Sequence, residues 1–178
     1  MNSDLYSLAS TIRTIPNFPK PGIFFRDITT LLKDPEAFEK AVDILFSHYK
    51  DLGIQKVACV ESRGFILGAP LALKLKAGFV PIRKKGKLPA ATLGEEYELE
   101  YGTDVIEIHK DAIKAGERVL IHDDLLATGG TIAAACRLVE KLGGAIVGLS
   151  FLIELSFLKG RAHIGERDVF SLIQYESE

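Results

Sequence analysis

The sequence predicts an α/β fold in which a mostly parallel, twisted sheet is flanked by helices. Short apolar runs typical of buried strands, such as 56–60 and 118–122, alternate with segments such as 65–76 whose apolar residues recur at helical spacing. A chain of 178 residues with 47% hydrophobic content can bury one core and is too short for two ordinary domains. Alternation of this kind places helices on both faces of a parallel sheet.

The N-terminal part predicts two helices separated by an extended loop. Residues 4–14 have an amphipathic helical pattern, which the proline and glycine residues within 16–22 interrupt. Asp34 followed by Pro35 is a good helix start, because the aspartate caps the helix and the proline suits its first turn. Apolar residues then recur at helical spacing over 37–49.

The central part predicts a strand–helix–strand unit followed by a long surface segment. A strand at 56–60 leads through the polar turn 61–64 into the helix 65–76, and a second strand follows at 78–82. From residue 83 to about 101 the chain is first basic and then acidic, with proline and glycine between. We expect a mobile loop or hairpin there, since loops of this length are usually functional lids.

The C-terminal part supplies the remaining strands and one helix. The apolar strand 118–122 ends abruptly in Asp123 and Asp124, and a helix begins at about Thr131 and ends near Gly143. The other predicted strands are 105–108, 145–154 and 169–175. The sequence contains no repeat or linker, so we expect one domain.

Composition excludes several classes of partner and place. The net charge of −2 gives no electrostatic excess for nucleic acid or a membrane surface, so neither is an expected partner. No segment has the apolar length of a membrane span, and the N-terminus, with Asp4, does not resemble a secretory signal. We therefore expect a cytoplasmic protein. Cys59 and Cys136 lie in apolar surroundings and are predicted to be packing residues.

The strongest chemical signal is VLIHDDLLATGGT, from Val119 to Thr131, which joins an apolar strand to a helix start. The small residues 127–131 can aim backbone N–H groups and the positive end of a helix dipole at one phosphate. The carboxylates of Asp123 and Asp124 accept hydrogen bonds and suit the hydroxyl groups of a sugar. A phosphorylated ribose satisfies both halves. The alternative is an ordinary glycine-rich turn with aspartates capping the helix.

Other common chemical motifs are missing from the sequence. It has neither the phosphate loop of Walker type nor the GxGxxG of dinucleotide-binding folds. No metal-binding spacing connects its cysteines and histidines, and the histidines are predicted to be structural or on the surface: His48, His109, His122 and His163.

The run from Val119 to Thr131 resembles the signature of type I phosphoribosyltransferases that binds 5-phosphoribosyl 1-diphosphate (PRPP). Its form DDLLATGGT is similar to that of the adenine-specific members. The resemblance continues, in the same order, through FPKPGIFFRDIT (18–29), ESRGF (61–65), IRKKGKLP (82–89) and LEYG (99–102). Only His122, where the family is often aliphatic, and the double lysine at 84 and 85 depart mildly from the pattern.

The resemblance implies the type I phosphoribosyltransferase fold in a single domain over 1–178. Within it we expect a small N-terminal hood that binds the base, at about 1–34, and a flexible lid hairpin at about 83–103. The implied activity is that of a glycosyltransferase: transfer of the phosphoribosyl group of PRPP to adenine, giving AMP and pyrophosphate in purine salvage. A homodimer is also implied, with the basic residues beside the lid near the partner.

The resemblance also assigns roles to residues. The 5′-phosphate is bound by Ala127, Thr128, Gly129, Gly130 and Thr131, and the ribose hydroxyls by Asp123 and Asp124. Pyrophosphate is bound by Glu61, Ser62, Arg63, Arg83, Lys84 and Lys87. Phe24 and Arg26 lie near adenine, although Arg26 could instead be structural, pairing with Asp27 or another carboxylate. Mg²⁺ is the implied cofactor, held mainly by PRPP and water without a direct protein ligand.

The acid/base residue is predicted by comparison within the family. Enzymes for 6-oxopurines typically carry an Asp where this chain has Ala127, so that general base is missing. Adenine-type enzymes use a glutamate of the lid, which matches Glu100, followed by Tyr101. A carboxyl group at the N7 edge of the purine could transfer the proton once water is excluded. We therefore predict Glu100 and Tyr101 as the catalytic residues; the alternative is an ordinary hairpin glutamate.

Two other functions remain open. An enzyme for 6-oxopurines is disfavoured by Ala127 and by LEYG (99–102). A regulator that senses PRPP or a purine without converting it would usually carry an added nucleic-acid-binding segment, and the signature lies within one compact domain.

Overall fold

The computed structural model describes residues 3–98 and 102–177. The helices are α1 (Ser3–Thr11), α2 (Thr29–Leu32), α3 (Pro35–Tyr49), α4 (Gly64–Leu75) and α5 (Gly130–Lys141). The strands are β1 (Arg13–Pro16), β2 (Phe24–Asp27), β3 (Lys56–Val60), β4 (Gly78–Lys84), β5 (Thr92–Glu98), β6 (Thr103–His109), β7 (Arg118–Leu126), β8 (Ala145–Leu155) and β9 (Val169–Tyr175). Two short 3₁₀ turns, Ser156–Leu158 and Gly160–His163, follow β8.

Seven strands form the central sheet, in the order β5-β6-β4-β3-β7-β8-β9. The five strands from β4 to β9 along this order pair in parallel, whereas β6 is antiparallel to both β4 and β5. The mostly parallel sheet predicted from the sequence is therefore confirmed. Strands β1 and β2 form a separate antiparallel ribbon.

The core has two layers, one on each face of the sheet. Along β3, Val57 and Cys59 pack into a layer that includes residues of α3 and α4, whereas Ala58 and Val60 pack into the layer under α5. This alternation follows from the two-residue period of a strand. Cys59 and Cys136 are both buried free thiols, as the sequence analysis predicted.

The N-terminus corrects one prediction. We expected a helix over 4–14, but α1 ends at Thr11 and Arg13 already belongs to β1. Arg13 lies opposite Asp27 in the β1–β2 ribbon, and the two side chains form an ion pair. This cross-strand pair and the helix-breaking Pro16 favour a strand over another helical turn. The start of α3 is as predicted, since the Asp34 carboxylate accepts hydrogen bonds from the backbone N–H groups of Glu36 and Ala37.

The region expected to be a lid corrects a second prediction. Arg83 and Lys84 are the last residues of β4, not the start of a loop, because they pair with β6. The acidic segment forms β5, which pairs along its whole length with β6 as a hairpin at the sheet edge. Glu95 of β5 accepts a hydrogen bond of 3.0 Å from Arg137 of α5, which compensates its charge. That the hairpin moves as a lid remains a prediction.

No helix among residues 3–98 and 102–177 is both long and apolar enough to cross a bilayer.

Candidate active site

The carboxyl ends of β3, β4 and β7 meet around an open cavity of about 380 Å³. Ligands of open α/β sheets bind at this edge. The cavity is lined by Val60, Glu61, Ser62, Arg63, Lys84, Tyr97, Ile106, Asp123, Asp124, Leu125 and Thr131. Side chains distant in the sequence and predicted to bind PRPP therefore face one space.

The cavity exists because β7 is longer than the strand beside it. Pairing between β3 and β7 ends at Cys59 and His122, while β7 continues along β8 as far as Leu126. The strand predicted to end in Asp123 and Asp124 contains both residues and continues for two more, to Leu126. Beyond His122 the strand has a neighbour on one side only. The other side opens towards the cavity.

Burial dominates the electrostatics of the acid pair. It raises the pKa of the Asp123 carboxyl, and the negative charge of Asp124 raises that pKa further. Burial also raises the pKa of Asp124, although the nearby Arg63 guanidinium opposes the shift. Arg63 Nε lies 2.9 Å from Asp124 Oδ2, so this guanidinium and the acid pair form one charged cluster at the cavity. Carboxylate oxygens accept hydrogen bonds and suit the hydroxyl groups of a sugar.

The turn after β7 forms a second, smaller cavity of about 70 Å³, which residues 125–132 line together with Asp123. Gly129, with φ of +87°, is the N-cap of α5 and offers no side-chain acceptor to the first N–H groups of that helix. The first turn of α5 also carries no acidic residue. Unsatisfied N–H groups at a helix N-terminus bind anions such as phosphate.

The turn after β3, residues 61–63, contributes a charged side chain, that of Arg63, to the site. Its Glu61–Ser62 peptide bond is cis. The next glycine, Gly64, lies so close to β7 that a Cβ atom there would be 2.9 Å from Asp123 Oδ1. This close approach brings Arg63, which is about one third exposed, beside the acid pair. The Arg63 guanidinium carbon also lies 5.4 Å from the centre of the Phe25 ring.

Three of the four predicted pyrophosphate cations, Arg63, Arg83 and Lys84, are paired with acids. Arg83 Nε donates a hydrogen bond of 2.5 Å to Glu61 Oε2, and the Lys84 backbone N–H donates one of 3.0 Å to Glu61 Oε1. Burial alone would raise the pKa of Glu61, but the bonds from Lys84 and Arg83 outweigh it and lower that pKa. Glu61 therefore holds the side chain of Arg83 and the backbone of Lys84 in this structure. Lys87, the last predicted cation, is exposed and its backbone carbonyl accepts a hydrogen bond of 3.1 Å from Arg83 Nη1.

Sequence reasoning missed two residues of the hairpin. Lys84 Nζ pairs with Asp104 at 2.9 Å, and the Tyr97 hydroxyl donates a weak hydrogen bond of 3.4 Å to the same carboxylate. The hydrogen bond to Asp104 raises the pKa of Lys84. Tyr97 is buried and lines the cavity. The sequence signal for Tyr97 was its position as the one aromatic residue within the acidic segment 95–98.

The structure does not place the predicted adenine residues at this cavity. Phe24 and Arg26 lie on β2, and neither is among the residues that line it. The Arg26 guanidinium carbon lies 3.9 Å above the centre of the Tyr175 ring, and Arg26 Nη1 donates a hydrogen bond of 2.6 Å to Thr14 Oγ1. The alternative pairing of Arg26 with Asp27 is not observed, since Asp27 pairs with Arg13. The predicted catalytic residues Glu100 and Tyr101 lie outside the described residues.

His122 is structural, as predicted. It is fully buried, its Nδ1 lies 3.1 Å from Ser150 Oγ, and burial lowers its pKa to about 4. It is therefore neutral near pH 7.

The acids at the cavity fit a Mg²⁺ ion carried by a substrate. Within the described ranges, no group of three or more His, Cys, Asp and Glu residues could hold a metal. Asp123 and Asp124 nevertheless supply carboxylate oxygens beside the cavity, which is the ligand type that Mg²⁺ prefers.

The sequence and the fold match a known family. Residues 27–174 match the family described as "Phosphoribosyl transferase domain". The chain therefore belongs to the phosphoribosyltransferase family, as the resemblance implied.

Within that family the chain is similar to adenine phosphoribosyltransferases. That of Chloroflexus aurantiacus is 60% identical over 168 residues, covering 94% of this chain and 97% of the relative. The crystal structure of the protein from Thermoanaerobacter pseudethanolicus has a TM-score of 0.93 and 54% identity, covering 96% of this chain and 99% of that one. The Saccharomyces cerevisiae protein, complexed with D-2,5-dideoxy-2,5-imino-altritol 1,6-bisphosphate and adenine, has a TM-score of 0.92 and 43% identity, with 97% and 99% covered.

Proposed function

We propose that this protein transfers the 5-phosphoribosyl group of PRPP to adenine, forming AMP and pyrophosphate in purine salvage. One observation carries the proposal. The helix N-terminus at 127–131, the acid pair Asp123 and Asp124, and the Arg63 turn adjoin one open edge of the sheet. These three features match the phosphate, the sugar and the pyrophosphate of PRPP. The names of the similar proteins support adenine as the base.

The phosphate and ribose are held first. The 5′-phosphate binds the backbone N–H groups of Ala127, Thr128, Gly129 and Gly130 and the hydroxyl groups of Thr128 and Thr131. Asp123 and Asp124 accept hydrogen bonds from the ribose hydroxyls and stabilise the positive charge that develops at C1 in an oxocarbenium-like transition state. Because Asp124 is buried and Asp123 is partly buried, water screens their interaction with that charge only weakly.

Pyrophosphate leaves at the opposite side of the cavity. The turn Glu61, Ser62 and Arg63 receives it, and Arg83, Lys84 and Lys87 supply further positive charge. Cations that follow the charge on a leaving group lower the barrier, because they bind the transition state more tightly than the substrate. The ion pairs of Arg63 with Asp124 and of Lys84 with Asp104 keep these cations beside the cavity before the substrate arrives. Mg²⁺, held mainly by PRPP and water, would neutralise part of the same charge.

Proton transfer at adenine is assigned to Glu100, with Tyr101 beside it, and Phe24 and Arg26 are proposed to lie near the base. The assignment of Glu100 rests on the lack of a carboxylate at Ala127 and on the match to LEYG (99–102). Replacing Glu100 by Gln is expected to lower kcat with adenine. Near-normal kcat would contradict this role.

A direct assay tests the activity. Protein mixed with Mg²⁺, PRPP and adenine should form AMP and pyrophosphate, and chelation of Mg²⁺ should abolish product. Parallel reactions with guanine, hypoxanthine and xanthine should give little product. Preferential use of a 6-oxopurine would contradict adenine as the substrate. PRPP binding without any product would indicate a regulator.

We also propose a cytoplasmic homodimer. Ile66 and Leu73 lie seven residues apart on one face of α4, and Leu73 is 79% exposed. The exposed ring of Phe79 packs edge-on against Phe65 beside the same helix. Exposed apolar side chains on adjoining elements such as α4 and β4 favour an interaction surface. The two unpaired, buried thiols support a reducing compartment.

Light scattering tests the assembly. Native protein is expected to have the mass of a dimer, and Leu73→Glu to shift it towards the monomer. Leu158→Glu, at an exposed apolar residue outside α4 and β4, is the control and should leave the mass unchanged. A native monomer would contradict the proposal.

A further inference from the structure

We propose that Glu154 and Arg161 are positioning residues that hold the 5′-phosphate turn, 127–131, in its binding geometry. Neither residue lines the phosphate cavity. They act through the 3₁₀ turn Gly160–His163, which lies directly behind the phosphate turn. The inference rests on the proposed phosphate site and extends it to a part of the chain that the binding signature does not include.

The first observation is a backbone contact without side chains. A Cβ atom on Gly160 would lie 2.2 Å from the carbonyl oxygen of Ala127, and a Cβ atom on Gly129 would lie 2.4 Å from the carbonyl oxygen of Gly160. Two glycines that face each other thus allow the main chains to touch. The phosphate turn consequently cannot move back without moving the 3₁₀ turn.

The second observation is the side-chain contact that fixes the 3₁₀ turn. Arg161 Nε and Nη2 donate hydrogen bonds of 2.7 Å each to the two carboxylate oxygens of Glu154. Ser171 Oγ donates a third, of 2.8 Å, to Glu154 Oε2. Such a planar, two-point contact between a guanidinium and a carboxylate fixes orientation as well as distance. Glu154 is buried, and the bonds from Arg161 lower the pKa of its carboxyl.

The third observation places this contact beside the pocket. Glu154 of β8 pairs in register with Leu126 of β7, the last residue before the phosphate turn. The 3₁₀ turn is therefore tied to β8, the strand that pairs with the end of β7, while the Gly160 backbone lies against the backbone of the phosphate turn. Binding groups must be held within about 0.5 Å of their productive positions by the residues behind them. Glu154 and Arg161 provide this support.

Kinetics separate positioning from general stability. Arg161→Ala is expected to weaken binding of ribose 5-phosphate and to raise the KM for PRPP, each about tenfold, and to change the KM for adenine less than about twofold. Arg161→Lys should recover only part of this loss, because lysine keeps the charge but cannot form the two-point contact. Ribose 5-phosphate is the probe because it carries the phosphate and sugar without pyrophosphate.

The control is Arg118→Ala at the opposite end of β7. Arg118 Nε donates a hydrogen bond of 2.7 Å to the carbonyl oxygen of Leu52, so this variant loses a contact of similar length away from the pocket. It should leave both KM values unchanged. If Arg161→Ala does not fold, Arg161→Lys and Glu154→Gln provide the same comparison.

Thr131→Val separates failure of this proposal from failure of the phosphate assignment. If Thr131→Val weakens ribose 5-phosphate binding and the Arg161 variants do not, the positioning role is wrong. If Thr131→Val also leaves binding unchanged, the phosphate site itself is wrong. Equal increases in the KM values for PRPP and adenine in Arg161→Ala would show a purely structural role and overturn the proposal.

Discussion

Two strand–turn–helix units form the candidate site, one from β3 to α4 and one from β7 to α5. They offer different binding groups to an anion. The turn between β7 and α5 is built from small residues and offers backbone N–H groups. The turn between β3 and α4 offers the long side chain of Arg63, already paired with Asp124. The units share an architecture but differ in what faces the ligand.

Under the proposed function, this difference corresponds to the two ends of PRPP. The 5′-phosphate keeps its charge throughout the reaction, so a fixed backbone cage suits it. Pyrophosphate gains charge as its bond to C1 breaks, and side chains that exchange one acidic partner for another can follow that change. Substitutions should therefore act on geometry in the first unit and on charge in the second.

The largest expected effect comes from adding a methyl group to the phosphate turn, 127–131. Gly129→Ala should lower kcat/KM for PRPP about a hundredfold, because its Cβ would lie 2.4 Å from the Gly160 oxygen at a φ of +87°. Gly116→Ala is a matched control, since Gly116 also has a positive φ, +83°, but nothing within 4 Å. Steady-state kinetics measure both variants. Equal losses would show that backbone strain, and not the contact with Gly160, is responsible.

The acid pair should give the next effect. Asp123→Asn is expected to lower kcat about ten- to a hundredfold, since a charged acceptor of hydrogen bonds is lost. The same variant should melt at a higher temperature at pH 8. Burial and Asp124 raise the pKa of Asp123, so its ionised form is disfavoured in the folded state. The gain should shrink as the pH falls through that raised pKa, because the native carboxyl is then protonated. A variant less stable than the native protein at pH 8 would contradict this account.

Arg63 should affect pyrophosphate more than ribose 5-phosphate. Arg63→Ala is expected to raise the KM for pyrophosphate in the reverse reaction about tenfold, since a charge-assisted contact is lost. Binding of ribose 5-phosphate, measured by calorimetry, should change much less. The converse pattern would place Arg63 at the sugar and not at the leaving group.

The smallest effect separates two adjacent lysines. Lys84 pairs with Asp104 and lines the cavity, whereas Lys85 is exposed and does not line it. Lys84→Ala should raise the KM for PRPP a few-fold, about the amount expected for one exposed cation, and Lys85→Ala should not. If both variants behave alike, only the net charge of the segment matters.

Most of the fold was predictable because the patterns that indicate its strands and helices lie within short stretches of sequence. The apolar run at 56–60 and the cap at Asp34 are properties of neighbouring residues. The errors lie where distant residues decide. Arg83 is in a strand because β6 pairs with it, and β7 extends to Leu126 because β8 pairs with it beyond the end of β3.

The candidate site likewise has one part that the sequence predicts and one part that it does not. Residues 123–131 are contiguous, so one pattern contains both the acids and the phosphate turn. The pairing of Arg63 with Asp124, of Lys84 with Asp104, and of Glu154 with Arg161 depends on the folded chain. Opposite charges abound in any sequence, and only the fold selects which of them meet. These pairings are the contacts of the site that the sequence alone did not predict.

The unequal lengths of β3 and β7 have a lasting consequence for how this enzyme family can change. The cavity opens where β3 stops pairing with β7, so it does not depend on small side chains in its walls. Substitution of the residues along its walls can therefore alter which molecule is accepted without filling the entrance. Specificity and the existence of a binding space are, in this architecture, separately adjustable.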